Sequence, residues 1–140
     1  DVVKMMDKYL FLEGSRIEII DLGEGESAHD TALYIPSTKS LITGDTTYGK
    51  VHFWLAEERA DHVLENLQKL KELDVELVYP GHGEKGGAEV IEENINYLKN
   101  FIKVSNSGES VESAKGKMLA KYPNYKLPII LDLSLKAVIK

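Results

Sequence analysis

Hydrophobic positions change period partway along the chain. In the first third they come in short runs of the kind that form strands. Tyr9 to Leu12 and Arg16 to Leu22 flank Glu13-Gly14-Ser15, a three-residue link of hairpin type. Thr31 to Ile35 runs into Pro36, and Ser40 to Thr43 runs into Gly44, so Pro36 to Lys39 is a second hairpin turn. From Ala60 the spacing becomes helical. Ala60, Val63, Leu64, Leu67 and Leu70 place one apolar stripe on a helix of about four turns. Val75 to Tyr79 is a β-branched run stopped by Pro80-Gly81. Ile91, Ile95, Leu98 and Ile102 then form a second helical stripe, and Val111 to Tyr122 a weaker helix containing Gly116. In the tail, Leu131, Leu135 and Val138 suit a helix, whereas Ile129, Leu131, Leu133 and Leu135 alternate like a strand; helix from Leu131 is the preferred reading.

Strands first, then helices around one more strand, predicts an α+β layer arrangement. Each helix has a single apolar face, so the helices should cover one side of the sheet and leave the other for something else. No repeat, low-complexity tract or proline-rich linker divides the 140 residues.

Composition narrows the chemistry. Apolar residues at 43% and charged residues at 29% are those of a folded globular chain. No apolar run approaches the ~20 residues of a membrane span. Seventeen basic residues face 23 acidic ones, a formal net charge of −6, and a surface of that sign repels nucleic-acid phosphates. The absence of cysteine removes disulfides, thiolate metal sites and cysteine nucleophiles. Four histidines and many carboxylates remain. The chain opens Asp1-Val2-Val3-Lys4 without a methionine or a signal peptide, and a cytoplasmic location is the default expectation.

Two strand ends carry titratable residues. Leu41-Ile42-Thr43-Gly44-Asp45 is an apolar strand followed by glycine and a carboxylate, a turn that would aim Asp45 off the sheet end. Val78-Tyr79-Pro80-Gly81-His82-Gly83 sets a histidine between two glycines, free to point and easily approached. Alone, the first reads as an Asx turn and the second as a solvated loop. In that order, separated by a helix, the pair resembles the second half of the metallo-β-lactamase-fold hydrolases. The segment from Glu24 through Gly25-Glu26-Ser27-Ala28-His29-Asp30 to Pro36 is similar to that family's metal-ligand loop, and the resemblance runs from about Ile17 to Gly87.

The resemblance implies roles residue by residue. Asp45 matches the metal-bridging carboxylate and His82 the last histidine ligand, on the second metal. Glu26 falls where a histidine ligand is expected; a carboxylate there adds negative charge and favours harder metals such as Mn²⁺ or Fe²⁺ beside zinc. His29, three residues on, is the alternative ligand. His52 lies in a loop that the family places at the cleft rim, as a substrate contact or as packing; His62 reads as a surface residue. The family's His-x-His-x-Asp-His signature is missing, since the histidines are His29, His52, His62 and His82. Residues 1–140 therefore resemble the carboxy-terminal half of an αββα sandwich. The implied activity is hydrolysis of an ester, thioester, lactam or phosphoester-type bond in a small-molecule substrate, by water activated on one or two zinc ions. The implied partner is the missing amino-terminal half, or a second copy. The alternative is a non-catalytic binding or scaffold module with a degenerate metal site.

Overall fold

The structure is a computed structural model and describes residues 8–140. Five strands, β1 (Tyr9–Leu12), β2 (Ser15–Gly23), β3 (Asp30–Ile35), β4 (Ser40–Gly49) and β5 (Leu77–Gly83), form one sheet in the order β1-β2-β3-β4-β5. The first four meet antiparallel, while β5 lies parallel to β4. That crossover is made by α1 (Ala60–Lys71). Then follow α2 (Glu89–Ser105), α3 (Val111–Lys121) and α4 (Pro128–Val138).

Alternation decides which side of the sheet is covered. Leu22, Ala32, Tyr34, Leu41 and Val78 point to the helices and are buried with Val63, Leu67, Leu70, Ile91, Ile95 and Leu98. Their neighbours along the strands point the other way. On that side Ile19, Leu33, Ile42 and Tyr79 are paired in register across four strands, and Ile42 and Tyr79 remain 39% and 37% exposed. The α+β half-sandwich expected from the sequence is the observed architecture, and among the described residues nothing covers the second sheet face.

Three local expectations are corrected. The β1–β2 link has two residues, not three: Glu13 and Gly14 both have positive φ, 49° and 81°, the backbone of a turn whose twist matches the hairpin. The tail helix begins at Pro128, three residues before Leu131, because proline suits the first helical turn, where no N–H is needed. The third correction bears on function. Neither Gly44-Asp45 nor Pro80-Gly81-His82 ends its strand; β4 runs on to Gly49 and β5 to Gly83. Proline is tolerated because β5 is the last strand of the sheet, where a missing N–H need not break a ladder.

Candidate metal centre

The site grows out of an irregularity in the β4–β5 pair. Gly44 pairs with Pro80 and Tyr48 with His82, so β4 advances from 44 to 48 while β5 advances only from 80 to 82. The surplus residues on β4 bulge, and a bulge re-aims side chains. Gly44 at φ 52° starts the bulge, and Asp45 leaves the sheet on it. Thr43 and Thr47 close the bulge from beneath, their hydroxyls 2.6 Å apart, with Thr43 also donating to the Tyr79 carbonyl at 3.2 Å. Opposite, Gly81 is packed so tightly that a Cβ would collide with Asp45 Oδ1 and the Gly44 backbone. This close approach sets His82 Nε2 3.2 Å from Asp45 Oδ1, with both side chains about half exposed. The Tyr48 ring lies against the imidazole, centroids 5.0 Å apart.

Glu26 belongs to the same neighbourhood. Its loop is tied by Asp30, whose carboxylate accepts from the Glu26 N–H at 2.8 Å, the Ser27 N–H at 3.2 Å and the Ser27 hydroxyl at 2.6 Å. Gly25 lets that carboxylate close over the loop, since a Cβ there would meet Asp30 Oδ2. Burial, then the charges of Asp45, Asp30 and Glu57, push the Glu26 carboxyl above the usual range, while His82 pulls it back. The buried Tyr48 hydroxyl is likewise pushed up, by burial first and then by Glu26 and Asp45. The charges of Asp45 and Asp30 thus bear on Glu26, and negative charge gathered in this way beside an imidazole suits a cation.

The remaining expected residues lie elsewhere. His29 is exposed, with Nε2 2.9 Å from Asp21 Oδ1. His52, expected as a substrate contact or with its tip at the surface, is instead completely buried. Its Nδ1 lies 2.8 Å from the Tyr97 hydroxyl, and burial lowers its pKa. The aromatic wall made with Phe53, Tyr97 and Tyr125 explains that position. His62 lies on the surface of α1, 3.8 Å from Glu24. Among the described residues, no three or more histidine, cysteine, aspartate or glutamate side chains converge to hold a metal ion. The donors Asp45 and His82 fit as two ligands of a larger set, and Glu26 stands near them.

A sheet covered by helices on one face, with a carboxylate and a histidine brought together where two parallel strands bulge apart, is a half-sandwich with a candidate pair of metal ligands. The model of the metallo-beta-lactamase superfamily matches residues 7–82, more than half of the chain, and the chain belongs to that superfamily. Solved structures agree in fold. A metallo-beta-lactamase from Pontibacter korlensis superposes with a TM-score of 0.64 at 23% identity, over 71% of this chain and 49% of that one. The crystal structure of VMB-1 at pH 5.5 gives a TM-score of 0.58 at 20% identity, over 69% and 46%. The chain thus spans about half the length of the structures it matches. A search of curated proteins finds no match.

Proposed function

We propose that this chain is the carboxy-terminal half of a metal-dependent hydrolase, supplying part of a zinc site to a whole completed by an amino-terminal half. The observation that carries this reading is the approach of Asp45 Oδ1 to His82 Nε2 at 3.2 Å on a bulge that leaves no room for a side chain at Gly81. Asp45 and His82 would hold the metal, with Glu26 as a further oxygen ligand. A bound zinc ion would supply Lewis acidity, activating water and polarising the carbonyl or phosphoryl oxygen of an ester, thioester, lactam or phosphoester. This chain's residues do the holding and the aiming: the bulge presents Asp45, Tyr48 backs the imidazole, and Asp30 fixes the loop of Glu26. With three protein ligands the minimum for a catalytic zinc, and only a pair in contact here, the rest must come from the other half.

A second reading, a scaffold module that keeps the fold, draws support from the carboxylate at Glu26 where a histidine is expected. Calorimetric titration of the 140-residue chain with Zn²⁺, alone and with an added amino-terminal half, separates the two. The hydrolase reading expects weak binding and no turnover alone, with tight zinc and hydrolysis of ester, lactam or phosphodiester probes on reassembly. A reassembled protein that binds no zinc supports the scaffold. Tight stoichiometric zinc with turnover by this chain alone would refute the half-site.

A further inference from the structure

Each of the two helices against β4 carries one fully buried asparagine among its core residues, Asn66 on α1 and Asn94 on α2. Buried amides are costly unless paired, and leucine or isoleucine would fill either place with apolar surface. What the two amides bind is specific. Asn94 Oδ1 accepts from the Tyr48 N–H at 2.7 Å, and Asn94 Nδ2 donates to the Tyr48 carbonyl at 2.8 Å. Tyr48 ends the bulge that presents Asp45, pairs with His82 across the sheet and lies against its ring. The last β3–β4 pair is Leu33–Ile42, so β3 no longer flanks β4 at Tyr48, and a side-chain amide takes the place of a strand peptide. Asn66 Nδ2 donates to the Glu24 carbonyl at 2.9 Å, at the start of the Gly25-Glu26 loop, while its Oδ1 accepts from Lys69 at 3.1 Å.

Both ligand-bearing segments are irregular backbone without a complete ladder, and each is fastened to a different helix by one amide. We propose that Asn94 and Asn66 are positioning residues of the metal centre. Asn94 holds Asp45 and His82 in register through Tyr48, and Asn66 holds Glu26 through the Glu24 carbonyl. The proposal rests on the metal-centre reading above, but its geometric content concerns the metal-free chain.

The test reads each segment separately in the 140-residue chain by NMR, using the His82 ring nitrogens for one and the Glu26 carboxyl carbon for the other. Asn94→Ala should shift the His82 nitrogens much more than the Glu26 carbon, which feels Asp45 and His82 only through their charge; Asn66→Ala should do the reverse. Met118→Ala, which removes a buried side chain on α3, is the control and should lower the urea midpoint while moving neither reporter. If Asn94→Ala does not fold, Asn94→Asp keeps the acceptor for the Tyr48 N–H, sets a carboxyl oxygen against the Tyr48 carbonyl in place of the donor, and is read in the same way. In zinc titrations of the protein reassembled with its amino-terminal half, each asparagine variant should weaken affinity about tenfold or more, the scale on which residues behind metal ligands act. Reporters that stay still in both asparagine variants, or that move equally in either one, overturn the proposal. So does unchanged zinc affinity. Separated reporter shifts in a chain whose reassembled form takes up no zinc would uphold the positioning and overturn the metal assignment instead.

Discussion

At the scale of single residues, the most informative group is Glu26. A carboxyl raised by burial and by Asp45, Asp30 and Glu57 is a source of instability in the metal-free chain. The sign follows from linkage. With a folded-state pKa above the unfolded value, the native chain binds the proton more tightly, so this group favours folding below that range and opposes it as pH rises through it. Glu26→Gln should therefore raise the urea midpoint of the metal-free chain at pH 7 and flatten the part of the stability–pH profile just above the ordinary carboxylate range. In the reassembled protein the same change should lower zinc affinity about tenfold or more. A metal-free midpoint that falls would show that Glu26 makes a stabilising contact and is no site residue. Such opposition between stability and site chemistry is common where like charges are gathered to hold a cation.

At the scale of elements, the β4–β5 pair fixes the site, and Gly81 is its tightest point. Gly81→Ala would drive a methyl group into Asp45 Oδ1 and the Gly44 backbone. Overpacking of this kind costs about 1–3 kcal/mol. Chemical denaturation should show that loss, and the Asp45–His82 contact should open, seen as a changed His82 ring spectrum. A variant of wild-type stability with an unchanged imidazole would mean that the strands part there at no cost. Much of this element was legible in the sequence. The order strand, Gly44-Asp45, helix, strand, Gly81-His82, through its resemblance to the family, singled out Asp45 and His82 as a pair, and the structure places them 3.2 Å apart. What periodicity could not carry was the bulge, since residues 43 to 49 have no simple alternation and their course depends on pairing with β5. The clamps were partly legible: Asn66 and Asn94 fall one position before Leu67 and Ile95 of the two stripes, and a polar residue on a core face is a signal. Their partners, the Glu24 and Tyr48 backbones, lie 42 and 46 residues away, beyond any local pattern. His52 was hidden for the same reason, because its burial depends on Tyr97, 45 residues distant.

At the scale of the whole molecule, the open sheet face sets the behaviour of the isolated chain. The row Ile19, Leu33, Ile42 and Tyr79 continues toward the β1–β2 hairpin, where Leu10 pairs with Ile17 and is 39% exposed. Ile35 and Leu77 line the same shallow depression as Ile42 and Tyr79. Contiguous apolar surface of this kind marks an interaction site or promotes association. The net charge of −6 opposes self-association only by long-range repulsion, which physiological salt screens over about 8 Å. Short-range burial should therefore win. Sedimentation at tens of micromolar should find dimers or larger species that bind an apolar dye, and raising the salt should strengthen the association. Replacing Ile42 and Tyr79 together by lysine should shift the protein to monomer and reduce dye binding, without disturbing the helix-side core, because both side chains point away from it. Addition of an amino-terminal half should compete with self-association for the same face, so the wild-type oligomer should dissolve into a one-to-one complex while the double variant forms none. A wild-type chain that remains monomeric at high concentration, with no dye bound, would mean that this face needs no partner and that the fold is complete without a second layer.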